Sequence, residues 1–464
     1  MRTSLFAVAT LSCLVACSFV SGCGSSSKGG GGENDAAPEG GGLQEASTFD
    51  AGGTIDAAEA GDAPSGDAGD DGGDGDGGLS GYPAFPPFMP TLAFNKGPVL
   101  KTMRIVTVTW ASDANAPQFD AFDDAIGAST YWQSLAEYGV GPSTSVAADH
   151  VSITTAPTSP WDDGDIETWA SGMINGAPGN GWPAPDANTM YIVYVPDTVE
   201  VTQSGQDACL SEGGYHTELN AGPNPGGQPF ALILDECAAQ SGESVIDFAT
   251  TSASHELAET ATDPFPGYEP AYVGFDQNHL AWDIWNEFQD EVADACEFFE
   301  EGYFTGGSDL PYGLARVWSN ASGQAGHDPC VPVPSGAYNN VTPLGLSKVT
   351  IQTQGAFGAL QSFETMGWRI APGQTITENV GFYTDGPASK WQVQHTEGDC
   401  CFNDTKYLTV TPPTFIGNNG DTVPIQITVN SAPAAGTGTG ILLTFVSAAP
   451  GGIQHFMPVV IEAD

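Results

Sequence analysis

Two folded parts follow from this sequence: a layered α/β (α+β) domain and, after it, an all-β sandwich. Three observations carry that reading. Between residues 103 and 264, β-branched apolar runs alternate with stretches of helical spacing, the pattern of strands and helices stacked in layers. From about Leu344 the chain breaks into short alternating runs separated by Gly, Pro and Asn, as in stacked antiparallel sheets. Ahead of Tyr82, beyond one short N-terminal run, almost nothing is apolar, so no core can form there.

The N-terminal run comes first. Arg2 and the apolar Leu5 to Val20 form a targeting signal, too short for a comfortable membrane-spanning helix. It ends Val20-Ser21-Gly22-Cys23, which resembles a bacterial lipobox. The resemblance implies that residues 1–22 are removed and that acyl chains are placed on Cys23. The expected product is exported and anchored by lipid to the bacterial cell envelope, at the outer membrane or cell surface. An ordinary secretory signal that contains a cysteine is the alternative. Residues 23–81 are Gly, Asp, Ala and Ser and predict a disordered, self-repelling acidic tether. Asp70 to Gly77 superficially suggests a calcium loop but has no closing Glu, so a solvated linker is the better reading.

The α/β domain is expected over 82–344. Met103 to Trp110, His150 to Thr155, Met190 to Val195 and Phe230 to Leu234 read as strands, with Phe119 to Tyr138 and Ser159 to Gly176 as helices between them. The last strand is expected to lead directly into the helix that ends at Pro264. Residues 345–464 form the predicted sandwich, of immunoglobulin-like type, with strands at Ser347 to Gln352, Trp391 to His395, Val423 to Val429 and Ile441 to Val446.

Charge excludes one class of partner. Lys and Arg total 10 against 57 Asp and Glu, a net charge of -47, and such a polyanion repels phosphate, so nucleic acid is not expected. The nine cysteines fall to six once Cys13, Cys17 and Cys23 are assigned to the signal and anchor. Proximity favours bridges Cys209–Cys237 and Cys296–Cys330, with Cys400 and Cys401 adjacent and either vicinally bridged or free. No Cys-x-x-Cys supports a thiolate metal site.

The chemistry concentrates in Ser252 to Pro264. His255 and Glu259 are four residues apart, so their side chains leave one face of a helix, and Glu256 sits one step round it. That is the geometry of the zincin helix His-Glu-x-x-His, in which the outer pair holds Zn²⁺ and the Glu activates water. Here the second ligand would be a carboxylate, which zinc accepts. An i,i+4 pair on a solvated helix face is the bland alternative. A third ligand must come from elsewhere: Asp294 and Glu291 lead, with His216, His279, His327 and Asp263 also open.

The segments His255-Glu256-Leu257-Ala258-Glu259 and Glu291-Val292-Ala293-Asp294-Ala295-Cys296-Glu297 resemble those of the phosphate-induced, EXORDIUM-like family and related bacterial zincin-like lipoproteins. The strand Met190 to Val195 and Cys209 with Gly214-Tyr215-His216 are similar to that family too. The resemblance covers about residues 100–330, supports the site and adds His216 to it, without implying a secure reaction.

Two functions are therefore expected. One is a lipid-anchored zinc-dependent peptidase of HExxE type, with Glu256 as base, His255, Glu259 and Asp294 or Glu291 as ligands, and a peptide or extracellular protein as substrate. The other is a non-catalytic surface protein for adhesion, signalling or glycan binding, whose metal site is structural or degenerate. Trp161, Trp169, Trp182, Trp282 and Trp285 could stack on sugars, although core roles are the more ordinary use of tryptophan.

Overall fold

A computed structural model describes residues 81–463 apart from 289–290, 355–359, 400–405, 434–437 and 450–451. The export signal, Cys23, nearly all of the acidic tether and the pair Cys400 and Cys401 lie outside the described residues. The described chain is mixed α/β with strand predominating.

The first sheet contains β1 (Arg104–Trp110), β2 (His150–Ile153), β3 (Thr189–Val195), β4 (Gly214–Leu219) and β5 (Gln228–Leu234). Their order is β2-β1-β3-β5-β4. All pairs are parallel except β4, which runs antiparallel on β5 and forms an edge. Every residue of β3 and β5 is buried, as expected for strands covered on both faces. On one face Val106, Val108, Tyr191, Val193, Phe230 and Leu232 pack with Ile166, Ala170 and Ile174 of α2 (Asp163–Gly176). The other face turns Ile105, Met190, Ile192, Tyr194, Ala231 and Ile233 toward α1 (Ala116–Ile126) and α3 (Val245–Thr262). The alternation is the strand period of two read out in three dimensions. Within this second core Asp123 accepts hydrogen bonds from Thr107 Oγ1 at 2.7 Å and Tyr194 Oη at 2.9 Å.

Three expectations are corrected here. The stretch 119–138 is not one helix: α1 ends at Ile126, and Ser129 caps a new turn by accepting the Trp132 amide at 3.1 Å. The helix expected from Ser159 begins at Asp163, because Trp161 and Asp162 pair in parallel with Val201 and Thr202. Between β5 and α3 two short turns intervene, Asp235–Cys237 and Ala238–Ser241, with Cys237 bridged to Cys209. The second bridge is Cys296–Cys330, so both pairings expected from proximity form.

Helix α3 is longer than the 252–264 stretch. Ser244 opens it, accepting the Asp247 amide at 3.1 Å while its hydroxyl donates to Asp247 Oδ2 at 2.7 Å, a reciprocal cap of the kind Ser-x-x-acid supplies. Pro264 follows its last residues and prevents continuation. The buried face of the helix is mostly small, with Ala249, Ala253, Ala258 and Ala261 around Leu257; burying Leu257 contributes about 2 kcal/mol. Small residues also let a hairpin approach. β6 (Tyr303–Thr305) and β7 (Gly313–Ala315) pair antiparallel, and Ala315 donates its amide to Ser254 Oγ at 2.9 Å. A Cβ at Gly313 would lie 2.5 Å from Asp247 O, so only glycine permits this contact.

The C-terminal part has two sheets. One contains β8 (Asn339–Pro343), β11 (Thr375–Thr384), β13 (Leu408–Thr411) and β15 (Thr422–Val429), in the order β8-β11-β15-β13. The other contains β9 (Ser347–Gln354), β10 (Leu360–Arg369), β12 (Trp391–Asp399), β14 (Phe415–Gly417), β16 (Gly440–Ala448) and β17 (Gln454–Glu462), in the order β9-β10-β17-β16-β12-β14. Strand β8 places the start of this sheet system at Asn339, ahead of the 345 expected from composition. The sheets meet the α/β part through α4 (Leu280–Trp285). Leu280, Ala281 and Ile284 pack with Val349, Ile351, Leu442 and Val460, and the Trp285 and Phe456 rings lie 4.9 Å apart. Trp182 and Trp282 are buried, while Trp161, Trp169 and Trp285 are half-buried against the cores.

Candidate metal centre

Three chain segments converge at the edge of the first sheet. Helix α3 presents His255, Glu256 and Glu259 from adjacent turns, because positions four apart share a face. Edge strand β4 supplies His216, opposite Ala231. The loop after α4 supplies Glu291 and Asp294, and the Cys296–Cys330 bridge fastens it two residues further on. A Cβ at Gly214 would lie 2.8 Å from Leu232 O and 3.6 Å from Glu256 Oε1, so glycine there lets β4 pass close to the Glu256 carboxylate.

The donors are close. His255 Nε2 lies 3.1 Å from both Glu259 Oε1 and Asp294 Oδ1. His216 Nδ1 lies 3.4 Å from Glu256 Oε2 and 3.5 Å from Glu259 Oε2, and its Nε2 is 3.7 Å from Glu291 Oε1. Two trios have ligand atoms mutually within 4.8 Å: His255, Glu256 and Glu259, and His216, Glu259 and Glu291. Glu259 belongs to both. Its Oε1 also accepts the amides of Ala293 at 3.1 Å and Asp294 at 2.9 Å, which ties the ligand loop to the helix.

Burial and charge oppose each other here. Burial lowers the affinity of the His255 ring for a proton, but Glu259, Glu256 and Asp294 override it and hold the pKa well above the ordinary imidazole value. The same contest, decided by Glu291, Glu256 and Glu259, raises His216. Burial pushes Glu291 well above the usual carboxylate range, and raises Glu256, Asp294 and Asp263. Glu259 alone goes down: burial would raise it, but His255 and His216 hold it below its ordinary value. A group of buried carboxylates that can be satisfied only by protons, imidazolium or an added cation is the electrostatic signature of a metal site.

The residues fit an ion. Two imidazoles and several carboxylate oxygens match zinc's preference for nitrogen and oxygen donors. Glu291 Oε1 is buried without a hydrogen-bond donor, an orphaned acceptor that a cation would satisfy. The site lies in a cleft of 630 Å³ lined also by Glu212, Tyr215, Phe248, Glu297 and Tyr303.

No family model and no curated protein matches the chain. Among solved structures it is similar to the periplasmic chaperone SfaE, at 12% identity and a TM-score of 0.17, over 20% of this chain and 53% of that one. It is similar also to WR4, a C. elegans MSP family member, at 14% identity and a TM-score of 0.17, over 21% of this chain and 91% of that one. Wild type OgpA from Akkermansia muciniphila is similar over 78% of this chain and 94% of that one, at 10% identity and a TM-score of 0.21. The chain thus spans about half the length of the chaperone it matches. At these TM-scores the likenesses carry no argument.

Of the residues singled out in the sequence, His216, His255, Glu256, Glu259, Glu291 and Asp294 come together. His279 does not: its Nδ1 pairs with Asp276 Oδ1 at 2.8 Å. His327 pairs with Asp385 Oδ2 at 3.0 Å. Asp263 stands at the rim of the group: its Oδ1 accepts the Ala271 amide at 2.8 Å, and its carbonyl lies 3.3 Å from His216 Nε2. Sequence reasoning missed Glu212, whose half-buried carboxyl is pushed up to about 7 by loss of solvent, and Tyr303. Glu212 lies in an irregular stretch and Tyr303 begins the three-residue strand β6, too short to show a period, so neither left a signal.

Proposed function

We propose that the protein is an exported, lipid-anchored zinc-dependent peptidase, with a zincin-like α/β domain and an immunoglobulin-like sandwich behind it. The observation that supports this most is the meeting of His255, Glu259 and Asp294, from a helix and a remote loop, in an open cleft with Glu256 beside them. A structural zinc site is closed by its ligands, whereas a catalytic one keeps access to substrate. The bridges Cys209–Cys237 and Cys296–Cys330 agree with export, since disulfides persist in oxidising compartments. No helix among the described residues is long and apolar enough to cross a membrane.

In this reading His255, Glu259 and Asp294 would hold the ion, and Zn²⁺ bound there would supply Lewis acidity toward a peptide carbonyl and a water. Glu256 accepts the proton of the attacking water at its carboxylate and returns it to the leaving amine. His216, 3.4 Å from Glu256 Oε2, orients that carboxylate. The cleft wall from Glu212 to Tyr215 positions the peptide beside it.

The test is elemental analysis of the chain from Tyr82 onward, wild type beside His255→Ala, with digestion of a peptide mixture followed by mass spectrometry. Bound zinc that disappears in the variant, together with cleavage by the wild type, is the expected result. Bound zinc without cleavage would instead favour the non-catalytic surface protein. No metal in either protein would remove the reading.

A further inference from the structure

We propose that Glu259 bridges two divalent cations, one held with His255 and Asp294 and a second held with His216 and Glu291. The proposal deepens the metal reading above and rests on it. Its first support is the way Glu259 divides its oxygens. Oε1 faces His255 Nε2 at 3.1 Å, and Oε2 faces His216 Nδ1 at 3.5 Å. Each imidazole then has a carboxylate of its own from the same loop: Asp294 at 3.1 Å for His255, and Glu291 at 3.7 Å for His216. The arrangement is two half-sites sharing one carboxylate: His255 meets both of its carboxylates through Nε2, while His216 meets Glu259 through Nδ1 and Glu291 through Nε2, and one donor atom each from His216, Glu259 and Glu291 lies within 4.8 Å of the others. Ions about 3.5–4 Å apart are the recurring form of two-metal hydrolytic centres, and a carboxylate with one oxygen on each side is suited to tie them.

The second support is what one cation leaves unsatisfied. Asp263 is fully buried, and its carboxylate meets that of Glu291. Asp263 Oδ2 and Glu291 Oε1 are both buried with no hydrogen bond from an amide, hydroxyl or basic side chain, and the two carboxyls hydrogen-bond each other. They lie on the His216 side, which an ion at His255 and Asp294 would not occupy. Buried charges left without a partner are strongly unfavourable, and among the described residues no Lys or Arg lines the cleft. Glu256, Glu259, Asp263, Glu291 and Asp294 bring five carboxylates to the group.

The experiment loads the metal-free protein with Mn²⁺ and counts bound ions by elemental analysis, with electron paramagnetic resonance to detect magnetic coupling between neighbouring ions. Wild type is expected to bind two Mn²⁺ per chain and to give a coupled multiline spectrum. Glu291→Gln is expected to retain one and to show the six lines of an isolated ion; His216→Ala should do the same. Circular dichroism checks that both remain folded, and Glu291→Gln, nearly the same in size, keeps the test decisive should His216→Ala unfold. One ion per chain, lost in His255→Ala and unaffected by Glu291→Gln, would overturn the second subsite while leaving the single-ion site intact. Two uncoupled ions insensitive to Glu291→Gln would overturn it as well. No bound ion in the wild type would remove both readings.

Discussion

Glu259 Oε1 accepts the amide hydrogen of Asp294 at 2.9 Å, while the Asp294 carboxylate reaches the His255 ring that Glu259 also touches. Helix and loop therefore hold each other in place before any ion arrives. Glu259→Ala removes the acceptor of one buried and one partly buried amide, and leaving them unpaired should cost about 3 kcal/mol. Urea unfolding of the two proteins measures this; a loss well under about 1 kcal/mol would mean that the loop is held by other contacts.

Glu256 and His255 should separate chemistry from metal binding. Glu256→Gln is expected to keep its zinc and to lose peptidase activity by roughly 10²–10⁴-fold, the usual contribution of a general base. His255→Ala should lose both. Elemental analysis beside a cleavage assay reads the two effects, and zinc lost from Glu256→Gln would contradict its assignment as base.

Away from the site, Asp123 gives stability a pH dependence. Burial pushes its carboxyl up to about 7, from an ordinary 3.8. Below about pH 4 the group is protonated whether the chain is folded or not. Between about pH 4 and 7 only the folded protein keeps the proton, so stability falls as pH rises, and levels off above that window. The loss amounts to about 4 kcal/mol for a shift of this size. Unfolding midpoints across the range should therefore fall less steeply in Asp123→Asn than in the wild type.

The Cys296–Cys330 bridge closes a separation of 34 residues around the hairpin, directly after the ligand loop. Its removal by Cys296→Ala with Cys330→Ala is expected to cost about 3–4 kcal/mol, the chain-entropy value for a loop of that length. Zinc affinity should fall with it, because Asp294 stands two residues from the bridge. Thermal unfolding and a zinc competition titration check the two parts separately.

Phe456 of β17 lies against Trp285, with ring centroids 4.9 Å apart, and against Phe299 at 6.0 Å. These two aromatics flank the loop that carries Glu291 and Asp294. Phe456→Ala should cost about 2 kcal/mol in a half-buried contact of this kind and weaken zinc binding from the other part of the chain. Unchanged zinc affinity would show that the sandwich does not brace the site.

Much of the fold is legible in the sequence. The apolar runs Met190 to Val195 and Phe230 to Leu234 mark β3 and β5 because strands buried on both faces are apolar throughout, and the spacing of His255 and Glu259 places them on one helical face. Proximity names the partners of Cys209 and Cys296. The sandwich strands β10 and β17 do not stand out, since Thr, Glu and Gln alternate in the first and Pro458 interrupts the second. Strand β10 is exposed along its first half, and a strand with a solvated face gives a weaker signal than a buried one. His216 gains weight only through a resemblance: on an edge strand, nothing local says which helix a side chain will meet. The division of Glu259 between two imidazoles depends on β4, α3 and the loop arriving together, which no local pattern encodes.

That three-way origin sets when an ion can be captured. An unfolded chain keeps His255, Glu256 and Glu259 near each other, and Glu291 near Asp294, but neither group is held in a ligating geometry. His216 lies 39 residues before His255 and Asp294 39 residues after it, and their arrival requires the sheet edge, the helix and the bridged loop to be in place. In the proposed reading, metal would therefore be a latch on a finished fold rather than a seed for it, and ion-free protein should refold to the same secondary structure at the same rate as protein refolded with zinc.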